Sequence, residues 1–287
     1  MRIATFNVNG IRASVRRGFG EWLGGRGCDV IALQEVRCPT PQLPPGAFGD
    51  YHLAYDEGDR AGRNGVALLT REPAAAVRTW RDWSESGGVL PRGLRAFASA
   101  GRYVEVDLAD APLCVASVYV PKGDTPEGDG RSDDPEGAKR RYDDKMAFLA
   151  GFEQFLVRAR RAAAARGRHY LVLGDFNIAH TPLDLRNWRS NTRSAGFLPE
   201  ERAWLDAQLS PRTMVDVVRT LHPGLAGPYS WWSWRGAAFA NDVGWRIDYH
   251  MATPGLARLA TSGGTDRDPS RDERLSDHAP VVVDYAV

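Results

Sequence analysis

The stretch "HYLVLGDFNIAH", residues 169–180, constrains the fold more than any other part of this chain. Tyr170 to Leu173 form a short apolar run ending in Gly174, the pattern of a buried strand. Such a strand needs layers packed on it. Asp175 and Asn177 follow at once, two residues apart, so on an extended backbone they point to the same side. Both are poor strand formers, and a bare carboxylate beside a core is costly without compensation. Two compensations are open: Asp175 caps a turn, or it meets a metal ion or a substrate.

The same pattern of a strand with a polar end recurs. "RIATFNV" alternates as a strand and ends near Asn7 and Asn9, and "DVIALQE" ends in Glu35. "GVALLT" (65–70), "RYVEVDL" (102–108), "LCVASVYV" (113–120, with Tyr119), "WRIDYHMAT" (245–253, with Asp248 and His250) and "APVVVDYAV" read likewise. Helices are expected over about 14–25, 138–166 and 199–209, the last opening on a proline and acids. Strands outnumber helices and do not alternate strictly with them, which points to two packed sheets covered by helices rather than one parallel βαβ sheet. The Gly-, Pro- and Asp-rich segment 122–139 reads as a solvated loop inserted within one domain spanning 1–287.

A single strand-end Asn or Asp is ordinary turn chemistry. The collection is harder to explain that way. Strands that all end in carboxylates, carboxamides and an imidazole, with "LSDHAP" adding Asp277 and His278 before the last strand, suggest convergence at one rim. Oxygen donors from Glu35, Asp175 and Asp277, with Asn7 and Asn177, suit Mg²⁺ or Mn²⁺ and not a thiolate-loving metal. Magnesium keeps waters and takes few protein carboxylates, leaving room for a phosphate.

Charge and cysteines limit the setting. The net charge is +1, so an anionic partner must meet a local patch rather than a basic whole. Only three of the 37 basic residues are lysine (Lys122, Lys139, Lys145); arginine forks suit phosphate oxygens, and a GC-rich genome explains the same bias. Three widely spaced cysteines, Cys28, Cys38 and Cys114, make neither a zinc pattern nor a disulfide framework, which points to a reducing cytoplasmic setting. No apolar stretch approaches membrane-spanning length, and "MRIATFNVNG" reads as a strand rather than a signal peptide.

Nine motifs in order carry a resemblance over nearly the whole chain: "IATFNVNGIRA", "DVIALQEVRC", "GRNGVALLTR", "YVP", "LVLGDFNIAHTPLDLRN", "AGFLPEER", "YSWWSWR", "GWRIDYHMAT" and "SDHAP". The chain resembles the exonuclease III-type apurinic/apyrimidinic endonucleases of the endonuclease/exonuclease/phosphatase superfamily. The resemblance implies a four-layer α/β/β/α sandwich of two packed mixed sheets flanked by helices. It implies a Mg²⁺-dependent (Mn²⁺ as substitute) DNA repair nuclease that cuts 5′ to abasic sites and trims or cleans 3′ ends of double-stranded DNA. A monomer without membrane association suffices for this.

By the same resemblance Glu35 is the main metal ligand, with Asn7, Asp175, Asn177 and Asp277 around it. Asp175 orients or deprotonates the attacking water, and Asn177 and Tyr119 hydrogen-bond the reacting groups. His278 holds a phosphate oxygen and is oriented by Asp248. Trp231 and Trp245 wall a slot for a base-free sugar, with Trp232 read as packing. Arg235 reaches the groove, and Lys122, His180, Asn187 and Asn191 meet the DNA.

Some positions depart from the family pattern: Phe6 for a tryptophan, Arg37 for a lysine, Lys122 for an asparagine or glutamine, and Ser194 for an asparagine. The loop after Lys122 is unusually acidic (Asp124, Asp129, Asp133, Asp134), a repulsive element if near DNA and a solvated turn otherwise. Three alternatives remain: a relative acting mainly as a 3′ exonuclease, a same-fold phosphodiesterase acting on other phosphoesters, and a non-catalytic DNA binder. The last is expected to lack Glu35, Asp175 or His278, and all three are present.

Overall fold

The computed structural model describes residues 1–85, 88–126 and 134–287. In chain order its strands are β1 (Arg2–Asn7), β2 (Val30–Gln34), β3 (His52–Asp56), β4 (Val66–Thr70), β5 (Ala76–Thr79) and β6 (Tyr103–Asp107). These are followed by β7 (Leu113–Tyr119), β8 (His169–Asp175), β9 (Val215–Asp216), β10 (Asp248–Ala252), β11 (Ala260–Thr265) and β12 (Val281–Tyr285). The helices are α1 (Ile11–Arg16), α2 (Phe19–Arg26), α3 (Trp80–Glu85), α4 (Pro135–Ala165), α5 (Pro199–Gln208), α6 (Val217–Leu221) and α7 (Pro254–Ala257). One mixed sheet runs β11-β12-β1-β2-β4-β3 and the other β5-β6-β7-β8-β10-β9.

Strand periodicity sorts the side chains into four layers. Along β8, Leu171 and Leu173 point into the seam between the sheets, where they meet Val115 of β7 and Ile3, Ala32 and Leu68 of the other sheet. Tyr170 and Val172 point outward onto Phe148, Phe152 and Phe155 of α4. On the first sheet Ala4, Phe6, Ile31 and Leu33 face outward beneath α1 and α2. Phe6 lies 5.4 Å from the Trp22 ring and 6.3 Å from that of Phe19, so an apolar ring is what its site requires. The result is the expected α/β/β/α order, with sheet against sheet inside and helices outside.

Alternation of this kind carries functional residues with it. The inward-facing set continues past the apolar residues to Asn7 on β1, Tyr119 on β7 and Asp175 on β8, because each is an even number of residues from an inward neighbour. The ends of two parallel pairs, β1 with β2 and β7 with β8, therefore open on the same rim.

Several local expectations change. The helix expected over 14–25 is two helices interrupted at Arg17 and Gly18. Four strands were not foreseen, and their burial explains it. β3 and β11 are edge strands with largely solvent-facing residues, β5 is another half-exposed edge, and β9 has two residues. The segment expected as a loop over 122–139 turns helical at Pro135, with Asp134 capping Gly137 at 2.9 Å. Asp124 pairs with Arg141 at 3.0 Å, while Asp129 and Asp133 lie outside the described residues. Among the described residues, no helix is long and apolar enough to cross a membrane.

Candidate active site

The strand register assembles the centre. Tyr119 of β7 is the parallel partner of Asp175 on β8, and Asp248 of β10 is its antiparallel partner, so three polar side chains stand in one row across the sheet end. From the other sheet, Asn7 pairs with Gln34 at the last step of β1 and β2, and Glu35 follows. β12 runs antiparallel to β1 with Val281 opposite Thr5, which brings Asp277 and His278 past the same end.

These residues floor a cavity of about 390 Å³ lined by Glu35, Tyr119, Lys122, Asp175, Asn177, Trp231, Trp245, Asp277 and His278, together with Asn9, Arg37 and Ser194. Asn7 lies just beneath, fully buried, and its Nδ2 donates to Glu35 Oε1 and Asp175 Oδ2, both at 2.9 Å. Asn177 donates its backbone N–H to Asp175 Oδ1 (2.8 Å) and its side-chain amide to Val120 O (3.0 Å). His278 Nδ1 meets Asp248 Oδ2 at 2.8 Å, and its Nε2 stands 3.8 Å from Asp175 Oδ2. Asp277 accepts from Asn9 Nδ2 (2.8 Å) and Trp231 Nε1 (3.1 Å), and Arg37 pairs with Glu35. Of six non-glycine residues with positive φ among those described, Asn9, Glu35, Arg37 and Asn177 belong to this centre. Backbone held in that region is disfavoured unless its surroundings enforce it, and here it bends each strand end toward the cavity.

The electrostatics follow from crowding acids in a buried place. Burial, then the charges of Asp248 and Glu35, push the Asp175 carboxyl up to about 7 against the pull of His278. Burial disfavours a charged His278, but Asp248, assisted by Asp175 and Asp277, outweighs it and holds the imidazolium to about 10. Asp277 stays below the usual carboxylate range despite burial, because His278 and the Trp231 and Asn9 donors favour its anion.

The donor set fits a hard divalent cation. Carboxylate oxygens of Glu35 and Asp175 lie within 4.8 Å of each other, with a ring nitrogen of His278 as near, and a cation on the two acids would offset the burial and like charge that raise Asp175.

Trp231 and Trp245 form the cavity wall, with ring centroids 6.3 Å apart and planes at 86°. Their backbones exchange two hydrogen bonds of 2.9 Å, which fixes that edge-to-face pair. Trp232 is 1% exposed and packs on Phe239, away from the cavity. Four of the residues expected to meet DNA do not line the cavity. His180 is held by Asp206 at 2.6 Å, Asn191 donates to Asn187 O at 2.8 Å on the surface, and Arg235 is exposed. Sequence reasoning missed Gly196 and Ile247 in the cavity lining, and Ser230, which donates to Asp248 Oδ2 at 2.6 Å. Neither an apolar wall residue nor a buried serine differs in sequence from ordinary core, although Gly196, Ser230 and Ile247 all lie within motifs already singled out.

Comparison with known proteins agrees with this geometry. Residues 4–278 match the endonuclease/exonuclease/phosphatase family. The chain is 31% identical over 293 residues to the DNA repair nuclease APEX1 of Danio rerio, covering 100% of this chain and 83% of that one. It is 28% identical to an exodeoxyribonuclease of Bacillus subtilis, over 99% of this chain and 98% of that one. Among solved structures, an AP endonuclease from Archaeoglobus fulgidus superposes with a TM-score of 0.78 at 25% identity, covering both chains fully. A 3′-5′ exonuclease from Neisseria meningitidis superposes equally well, 0.78 at 24% identity over 99% of each chain, which speaks to the fold. With nearly its whole length matched and the rim carboxylates and imidazole gathered in one cavity, this chain belongs to the endonuclease/exonuclease/phosphatase family.

Proposed function

We propose that the protein is a divalent-metal-dependent DNA repair nuclease that hydrolyses the phosphodiester 5′ to abasic sites and also removes nucleotides or blocking groups from 3′ ends. The observation that carries this reading is the placement of Glu35, Asp175 and His278 within 4.8 Å of one another beneath a wall of two tryptophans. Acids and imidazole supply phosphodiester chemistry, and an apolar slot suits a sugar without a base.

In this reading Glu35 and Asp175 hold Mg²⁺ or Mn²⁺, with Asn7, Asn177 and Asp277 around them. The ion, when bound, withdraws charge from the phosphate and stabilises the charge that develops there. Asp175 faces the attacking water as its base, and Asn7 and Asn177 hold its orientation. His278, kept protonated and oriented by Asp248, donates to a non-bridging oxygen. Tyr119 adds a hydroxyl donor from the neighbouring strand β7. Lys122 reaches the phosphate from the cavity wall, while His180, Asn187, Asn191 and Arg235 meet the DNA outside it. We read the chain as one catalytic domain over 1–287, acting as a cytoplasmic monomer on double-stranded DNA; the three buried, unpaired cysteines agree with a reducing compartment.

A labelled duplex with one abasic-site analogue, incubated with Mg²⁺ or EDTA beside the Asp175→Asn variant, tests this. Metal-dependent incision on the 5′ side, lost in the variant, is expected. Cleavage that persists in EDTA, or no cleavage of any end or site, refutes it. A second reading, as mainly a 3′-end-cleaning enzyme, is favoured by Lys122, whose cation on the wall suits a terminal phosphate. Trimming of 3′ ends with an intact abasic strand would select it.

A further inference from the structure

Lys145 of α4 is 0% exposed, as is Glu201 of α5, and the two form an ion pair at 2.5 Å. Nothing in the proposed reaction uses them. An ion pair so buried is rarely retained for stability, because a well-packed apolar pair of similar volume often does as well or better. Its other contacts show what it does. Beside that ion pair, Lys145 Nζ donates to the backbone carbonyls of Asn177 (2.9 Å) and Lys122 (3.0 Å). One carbonyl belongs to the segment after β8, the other to the segment after β7, and both residues line the cavity. Glu201 is itself fixed, since its Oε2 accepts from Leu198 N at 2.9 Å at the start of α5. The lysine stem runs directly under the loop. Gly123 sits at φ 71°, and a Cβ there would come within 2.5 Å of Lys145 Cδ.

We propose that Lys145, anchored by Glu201, is a positioning residue: its ammonium ties the two segments carrying Lys122 and Asn177 and sets how far apart their side chains stand across the phosphate. This rests on the phosphodiester-hydrolase reading for its effect on rate, though not for the tie itself. Misplacement of reacting groups by about 1 Å lowers rates on the order of 100-fold, and loss of the tie permits displacements of that size.

The test is the paired variant Lys145→Met/Glu201→Leu, which removes both charges and so leaves neither one buried alone. Folding is checked by circular dichroism. The expected result is a kcat lowered roughly 100-fold with KM changed far less. Hydrogen exchange should be faster by at least about tenfold in peptides covering 120–124 and 175–179, with β1 and β2 unchanged. Wild-type kcat in the folded variant overturns the proposal, and so does a lost kcat with unaltered exchange in both segments. If the pair does not fold, Gly123→Ala displaces the loop from the lysine stem while keeping the ion pair, and the same two outcomes decide. Wild-type protein that cleaves no DNA substrate would count against the nuclease reading alone, since exchange still judges the tie.

Discussion

Asp184 offers a measurable link between a buried network and the cavity wall. It is fully buried, and its Oδ1 accepts from Arg246 Nε (2.7 Å) and Arg219 (2.5 Å) while Oδ2 caps Thr181 at 2.8 Å. Arg246, 1% exposed, completes its fork on Asp216 at 2.7 and 3.1 Å and stands between Trp245 and Ile247 of the cavity. Burial alone would raise the Asp184 carboxyl, but Arg246 and then Arg219 overcome it and hold it down at about 2, against an ordinary 3.8. At about 1.4 kcal/mol per unit, that difference stabilises the fold by roughly 2 to 3 kcal/mol at neutral pH. Asp184→Asn removes this and leaves Arg246 with one anionic partner, so a loss of about 3 kcal/mol is expected.

The pH dependence gives the sign. The folded value lies below the unfolded one, so the contribution is present in full above about pH 4 and fades as pH falls toward 2. Urea unfolding followed by circular dichroism at pH 7 and at pH 3 should show a gap between wild type and variant that shrinks to about half at the lower pH. A gap under about 1 kcal/mol at pH 7, or an equal gap at both pH values, would refute the reasoning.

Three further outcomes are expected. Asp248→Asn leaves His278 without its anionic partner, so kcat should fall by about 100-fold or more while KM stays within a few-fold, read from steady-state cleavage of the abasic duplex. Gly174→Ala places a Cβ 2.0 Å from the Val118 carbonyl at a φ of 142°; because the atoms it meets are backbone of β7, the strand must shift, and a loss of at least about 3 kcal/mol in urea unfolding is expected. His250 is buried against Val281 O and the Tyr285 hydroxyl, and burial lowers it from 6.5 to about 4. Since the unfolded chain takes up the proton first, stability should be full above pH 6.5 and decline by up to about 3 kcal/mol as pH falls toward 4, and His250→Gln should flatten that decline.

How much of this was legible in the sequence depended on whether a residue's role is local. The apolar run of "HYLVLGD" sufficed to predict a buried strand with Asp175 at its polar end, and "LCVASVYV" did the same for Tyr119; that both face inward came from the packing of the sheets. Phe6 and Trp232 were legible as packing residues and are packed. Edge strands such as β3 and β11 were not, because solvent on one face erases the apolar pattern that marks a strand. Ser230 and Lys145 were not legible as site residues either: a serine and a helical lysine look like surface until the neighbours that bury them are known.

The chain by itself determined the polar strand ends and the order of its motifs, since periodicity, turn chemistry and residue type are properties of short segments. Only the tertiary structure decided which ends meet. Glu35, Asp175 and His278 lie far apart along the chain, and they come within 4.8 Å of one another through strand register, antiparallel return and the seam between two sheets. Their proton affinities belong to that meeting as well, because burial and neighbouring charge exist only once the sheets have closed.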